Sequence, residues 1–345
     1  MAEAADLPPL IGQSAAFLAL GEEISRLASL DRPVLVIGER GTGKELVAAR
    51  LHFLSPRWDR PYAKLNCAAL AESVLESELF GHEAGAFTGA TRRRAGRFEL
   101  ANGGSLFLDE IANATMSVQE KILRTVEYGE FERVGGSATI DVDVRVIGAT
   151  NVDLPAAADA GRFRHDLLDR LSVAVVTIPP LRARVEDIPL LAQHFGRGLA
   201  QEVGWETFPG FSRAALKALR GYAWPGNVRE LKNVVERAVF NTEPDHVVDR
   251  IVFDPFDSPY RPRPPRGSET SKDAEEKTPT LPPSPEVTPH NLRATVAAYE
   301  KNLIERALTE HRHNQRATAD ALGLTYNQLR NDLRKHGLLG SGPSS

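Results

Sequence analysis

Apolar residues follow two rhythms along the chain, and the rhythm changes once. From Val34 to Ile178, short runs of Val, Ile, Leu and Phe alternate with stretches of helical spacing. Val34–Ile37, Tyr62–Asn66, Ser105–Asp109, Val142–Ala149 and Val173–Ile178 read as strands. Ahead of them, Phe17, Leu20, Ile24 and Leu27 mark an amphipathic helix within residues 10–30. Strands alternating with helices predict an α/β fold, a parallel sheet covered on both faces, over residues 1–178. After Pro179-Pro180 only the helical rhythm continues, over about 186–203, 212–221 and 227–241. Ser212 and Asn227 are N-cap candidates there. Val228, Leu231, Val234, Val235, Ala238 and Val239 share one face, so residues 179–254 read as a helical lid subdomain.

Residues 255–289 carry ten prolines among Ser, Thr, Glu and Lys, the composition of a flexible linker. Helical order returns over 290–345, with a stripe of Leu292, Val296, Tyr299, Leu303, Ala307 and Leu308. A second helix is expected near Gln315–Leu322, with Ala317 and Ala321 inward, then a turn at Gly323. Thr325 and Gln328 have capping-box spacing and open a third helix to about His336. Two short helices across a glycine turn read as helix-turn-helix. The third helix offers Tyr326, Asn327, Arg330, Asn331, Arg334 and Lys335, side chains that read base edges and phosphates. Thr325 and Gln328 stand at the start of that surface. Residues 290–340 hold eight Lys or Arg against five Asp or Glu, which supports the helix-turn-helix, and polar amides and arginines sharing one exposed face favour DNA over a bland three-helix interaction domain.

Composition narrows the picture further. The 345 residues, 42% hydrophobic and 26% charged, are ordinary for a globular chain with room for two or three domains. A net charge of −4 provides no global attraction for nucleic acid, so any DNA contact is local. The lone Cys67 rules out an internal disulfide and suits a reducing compartment. No run approaches the ~18 apolar residues of a membrane span, and the start lacks a basic leader. A cytoplasmic location is the expectation.

The chemistry concentrates at residues 33–50. The first strand runs into Gly38, Glu39, Arg40, Gly41, Thr42, Gly43, Lys44 and Glu45, then into a helical pattern. Gly38, Gly43 and Lys44 have the spacing of a phosphate-binding loop in its required strand–loop–helix setting. Glycines let backbone N–H groups curl around an anion, and the helix start adds its positive dipole end. The general pattern ends in Ser or Thr as a magnesium ligand, and Glu45 stands there instead, so either other groups hold the metal or the loop is a decoy on an ordinary strand–turn–helix.

Asp109 and Glu110 end an apolar strand, where ligands of a parallel sheet bind. Asp109 could hold magnesium directly or through water, and Glu110 could polarise an attacking water. Asn151 follows the next strand and could orient that water or sense the γ-phosphate, or be a simple turn residue. Asn66 could hydrogen-bond Glu110 and hold it in reserve. Arg164 and Arg170 could pair with Asp166 or Asp169, or reach a neighbouring subunit's nucleotide. Arg229 opens a lid helix and could touch phosphate in its own chain, or simply face solvent. In Gly85, Ala86, Phe87, Thr88, Gly89 and Ala90, glycines bracket a phenylalanine, and nearby His82, Glu83, Thr91, Arg92, Arg93 and Arg94 favour a surface loop. An exposed phenylalanine on such a tip marks a contact site.

Together, GERGTGKE, ELFGHEAGAFTGA, GGSLFLDE, GATN, FRHDLLDRL and WPGNVREL resemble the bacterial enhancer-binding proteins, the AAA+ ATPases that activate sigma-54 RNA polymerase. The resemblance covers residues 8–253, and the tail resembles a Fis-type helix-turn-helix. Lys-Glu at the loop's end is usual in that family. The resemblance implies an AAA+ P-loop NTPase that forms a ring, usually a hexamer, with a dimer at rest also compatible. It implies ATP and Mg2+ as cofactors, with Lys44 on phosphate, Asp109 on the metal, Glu110 activating water and Asn66 as its switch. Arg164 and Arg170 would act in trans, and Arg229 in cis. The loop carrying Phe87 and Thr88 would grip sigma-54, and the tail would hold enhancer DNA. Many members of that family carry a sensory domain ahead of the sheet; none is expected here, and control is expected from a repressor protein in trans. Trp58, amid polar residues and proline, is the candidate surface for it, or else a locally packed surface tryptophan. Two rivals are an AAA+ unfoldase, which leaves the helix-turn-helix unexplained, and a DNA-binding regulator with a vestigial site, which Glu110 and the intact loop disfavour.

Overall fold

The computed structural model describes residues 9–244, 246–258, 260–261, 292–311 and 314–338. Most of the proline-rich linker expected over 255–289 lies outside them. The chain forms two compact units, residues 1–261 and 262–345.

In the first unit the elements run α1 (Ala15–Ala28), β1 (Val34–Ile37), α2 (Lys44–Phe53), β2 (Tyr62–Asn66), α3 (Glu72–Phe80), α4 (Arg97–Leu100) and β3 (Ser105–Asp109). They continue through α5 (Met116–Tyr128), β4 (Glu130–Glu132), β5 (Thr139–Asp141), β6 (Arg145–Thr150), α6 (Leu154–Asp159), α7 (His165–Leu171) and β7 (Val175–Thr177). Helices α8 (Ile188–Glu202), α9 (Arg213–Gly221) and α10 (Asn227–Phe240) complete it. The sheet has strand order β2-β3-β6-β1-β7, and every pairing in it is parallel. Successive strand residues feed opposite cores, as the pleat requires. Leu35, Leu106, Leu108 and Val146 face α3 to α7, whereas Val34, Val36, Phe107, Ile147 and Ala149 face α1 and α2.

Three expectations need adjusting. The first helix begins at Ala15, because Ser14 accepts the Phe17 N–H and caps it. The fourth expected strand begins at Arg145 rather than Val142, and β4 pairs with β5 in an antiparallel hairpin that periodicity did not reveal. Asn227 is not an N-cap: Gly226 occupies that position, and Asn227 is the first helical residue, fully buried, with φ of +53°. Ser212 does cap α9, accepting from Ala215 N at 3.1 Å.

Two buried charges tie the layers together. Arg145 is 3% exposed, and its guanidinium donates to Leu27 O, Ala28 O, Arg32 O and Leu51 O at 2.9–3.2 Å. It thereby adds a donor to carbonyls at the C-terminal ends of α1 and α2, where helices run short of N–H partners; Leu27 O also accepts from Leu30 N. Asp187, fully buried before α8, accepts from Gln13 N, Ser14 N and Ser14 Oγ at 2.7–2.8 Å. That carboxylate fastens the start of the chain to the lid, whose core Ile11 also joins.

The second unit comprises α11 (Leu292–Glu310), α12 (Gln315–Ala321) and α13 (Tyr326–Lys335). Ile304, Leu308, Ala319, Leu329 and Leu333 form its core. Thr318 and Ala319, not Ala317 and Ala321, face inward on α12, because α12 starts at Gln315 behind the Asn314 cap and its phase follows. On α11 Val296, Tyr299 and Leu303 stay exposed while Ala307 and Leu308 pack, and the Leu292 side chain lies outside what the structure describes.

Candidate functional site

The phosphate loop sits at the C-terminal edge of the sheet, between β1 and α2, with its pivot at Gly43. Gly41 and Gly43 have φ of +77° and +99°, which an L side chain rarely adopts. Space imposes a second condition at Gly41, where a Cβ would lie 2.2 Å from Gly226 O of the lid. Lys44 Nζ donates to Gly38 O at 2.9 Å and Glu39 O at 3.2 Å, arching over the loop. Burial lowers the lysine's pKa, opposed by the nearby Asp109 and Glu110 carboxylates.

Those two acids follow from strand register. Asn66 and Asp109 are directly paired across β2 and β3, so Asn66 Nδ2 reaches Asp109 Oδ2 at 3.2 Å. The expected Asn66–Glu110 bond is therefore replaced by an Asn66–Asp109 bond. Glu110 sits in the left-handed region (φ +51°, ψ +43°), which turns its side chain toward Asn113 Nδ2, 3.2 Å from Oε2. A non-glycine residue in that conformation at a strand end is local strain of the kind held at working sites. Burial raises the pKa of Asp109, with the Glu110 N–H and Lys44 pulling the other way. Burial together with these acids also pushes the neighbouring Cys67 thiol up to about 12, which keeps it inert.

Among the described residues, no three Asp, Glu, His or Cys side chains converge on a point. Magnesium needs only one or two carboxylates, the rest of its shell being water and phosphate oxygens; Asp109, close enough to Lys44 to feel its charge, is a carboxylate that could serve it. Glu45 instead pairs with Lys64 at 2.9 Å on the surface.

The remaining residues fall into place unevenly. Asn151 is exposed just past β6, whose end aligns with that of β1 before the loop. Arg164 pairs with Asp166 at 2.7 Å, the local alternative read from sequence. Arg170 pairs with Glu127 rather than Asp169. Arg229 N donates to Gly41 O at 3.2 Å, and its side chain is exposed beside Arg40. Glu39 and Arg40 do not line the loop's inner arc. Arg40 is exposed and its carbonyl accepts from Asn227, while Glu39 turns to Arg182 and Asn227.

The loop at Gly85–Ala90 closes on itself through Gly85 N to Ala90 O (2.8 Å) and Ala90 N to Phe87 O (3.0 Å). Phe87 is 46% exposed, and Thr88 is exposed beside it. His82, expected at the surface, is buried and lies edge-on to Phe87 at 5.0 Å. Sequence reasoning missed Arg133, which is buried and gathers Glu83 below the loop and Glu99 of α4. It lies just past a strand too short to show periodicity, so only a charged residue between glutamate-rich segments pointed to it. Trp58 is 56% exposed.

In the second unit the capping box forms as read, with Thr325 N donating to Gln328 Oε1 at 2.9 Å. Tyr326, Asn327, Arg330, Asn331 and Arg334 are exposed along α13. Lys335 is held by Glu300 of α11 at 2.8 Å, which removes it from the freely available cations.

Comparison with known proteins agrees with this arrangement. Residues 10–177 match the family model "Sigma-54 interaction domain", residues 182–256 "AAA+ ATPase lid domain", and residues 295–336 "Bacterial regulatory protein, Fis family". The chain is 52% identical over 332 residues to the Psp operon transcriptional activator of Escherichia coli, covering 95% of this chain and 97% of that protein. It is 46% identical to the C4-dicarboxylate transport regulator DctD of Pseudomonas aeruginosa, covering 95% of this chain and 64% of that one. Among solved structures, NtrX of Brucella abortus in complex with ADP superposes with a TM-score of 0.66 at 32% identity, over 95% of this chain and 70% of that one. NtrX in complex with ATP gives 0.64 at 32% identity, over 96% and 69%. The chain belongs to the sigma-54-dependent transcriptional activators of the bacterial enhancer-binding type, AAA+ proteins that end in a Fis-type helix-turn-helix.

Proposed function

We propose that the protein hydrolyses ATP and uses the cycle to remodel the closed complex of sigma-54 RNA polymerase at a promoter. The observation that carries this reading is the joint placement of Lys44, Asp109 and Glu110 at one sheet edge, in the same unit as the exposed Phe87 and Thr88. Lys44 would leave its loop carbonyls for the outer phosphates. Asp109 would hold magnesium, which neutralises phosphate charge, and Glu110 would orient and deprotonate water after swinging away from Asn113. Asn66 would govern that swing through Asp109, and Asn151 would position the water. Arg164 and Arg170 would exchange Asp166 and Glu127 for a neighbour's phosphates in a ring, taken to be a hexamer, with a dimer at rest compatible. Arg229 would report phosphate to the lid. Phe87 and Thr88 would grip sigma-54, while α13 reads an upstream enhancer. A tail matching a Fis-family DNA-binding model supports a cytoplasmic setting for this work. The extended similarity to the Psp operon activator supports the same target class, with control by a repressor in trans at Trp58.

Transcription in vitro from a sigma-54 promoter, with and without ATP, tests the reading. Open-complex formation that requires ATP supports it, and equal activity without nucleotide overturns it.

A further inference from the structure

Glu39 lies inside the phosphate loop but does not face the phosphate side. Its Oε2 accepts from Arg182 Nη1 at 2.8 Å and from Asn227 Nδ2 at 3.0 Å, and Arg182 Nη2 reaches the other oxygen. Arg182 lies in the short turn Leu181–Ala183 that leads from the sheet into the lid, and Asn227 begins α10. Asn227 is fully buried and engaged on three sides: its Oδ1 accepts Leu181 N at 2.8 Å, and its Nδ2 also serves Arg40 O at 3.1 Å. One amide thus holds the hinge turn, the phosphate loop and the lid helix together. The backbone contact beside it is equally close, since Arg229 N donates to Gly41 O and a Cβ on Gly41 would strike Gly226 O.

The backbone records the same demand. Trp224 and Asn227, both fully buried, have φ of +52° and +53°. A bulky residue in the left-handed region is an outlier that persists only when its surroundings hold it. Here Trp224 is held by its bond to Leu219 O and by the rings of Tyr222 and Phe253. The strained bend is what aims Asn227 at the loop. Arg182 and Asn227 together keep the Glu39 carboxylate ionised, at about 2.

We propose that Glu39, gripped by Arg182 and Asn227, is a positioning residue that locks the phosphate loop to the lid and so sets nucleotide affinity. It does this by placing the start of α10, with Arg229, over the loop before nucleotide arrives. A pre-placed lid spares the ordering that binding would otherwise require. The inference rests on the proposed ATP-binding reading of the same loop, and its test separates the two.

The full chain is titrated with a fluorescent ADP analogue and magnesium, which reads binding without hydrolysis. Glu39→Ala and Arg182→Ala are each expected to raise Kd about five-fold, the scale of a hydrogen-bonded charge at a partly exposed site. The double variant is expected to match the singles, because partners in one interaction are not additive. With ATP, KM should rise while kcat changes by less than about two-fold, as for lost uniform binding. Should Glu39→Ala melt early, Glu39→Gln keeps the shape and the Asn227 contact region, and is expected to raise Kd by about two-fold. Singles that bind like the wild type, or losses that simply add in the double variant, overturn the lock alone. A wild-type chain that binds no nucleotide overturns the ATP-binding reading beneath it.

Discussion

Arg145 and Glu110 show two opposite uses of a charged side chain. The Arg145 guanidinium is sealed beneath the sheet with four carbonyls around it. Replacing it by Met keeps the bulk and withdraws the buried donors from those carbonyls, so Arg145→Met should lower stability by about 3 kcal/mol in urea unfolding of the 1–261 unit. Glu110 contributes strain instead of stability. Glu110→Gln keeps size and shape, so nucleotide binding should persist while turnover falls by at least about 100-fold in a phosphate-release assay. Glu110, Asp109 and Lys44 were legible from sequence because each sits at a fixed offset from an apolar strand. Arg145, and the pairing of Glu39 with Arg182, were not. The Glu39 contact spans 143 positions, and no local spacing announces a bond of that range.

At the scale of elements, apolar spacing located the large strands and the lid helices because each buries a continuous face. It failed for β4 and β5, whose three residues apiece are too few to show a period. It also misjudged Asn227, since a buried asparagine opening a helix looks like a cap until its partners are known. His52 shows what an element end can conceal. It is fully buried near the end of α2, bonded to Ser105 Oγ at 3.0 Å and stacked on Tyr62. Burial, with Arg145 nearby, lowers its pKa from 6.5 to about 4. The unfolded chain therefore takes up this proton first as pH falls, and stability is lost between pH 6.5 and about 4. The loss from this one group should be on the order of 3 kcal/mol. His52→Gln should flatten that limb of a stability-versus-pH curve, whatever it does to absolute stability. On α13 the exposed Arg330 is free of the Glu300 pair that holds Lys335. Arg330→Ala should weaken enhancer binding by about ten-fold in a footprinting titration and reduce its salt dependence.

For the whole molecule, the division into two compact units makes the labour separable. A chain ending at residue 261 should keep its ATPase rate and lose enhancer footprinting, and a truncated form that still footprints would contradict the assignment to α13. Thr88→Ala should likewise preserve hydrolysis and fail to open promoters, because Thr88 lies on an exposed tip whose backbone closes without its side chain. The motifs made this division legible, whereas the arrangement of neighbouring chains is not written in any one of them. Arg164 and Arg170 bear on that arrangement, because each is clasped by a carboxylate of its own chain. A solitary polypeptide thus keeps both blades sheathed. If they act in trans as proposed, drawing them would mean trading one neutralised couple for another, so crowding alone would offer little reward, and only a neighbour that arrives with triphosphate in hand would tip the exchange.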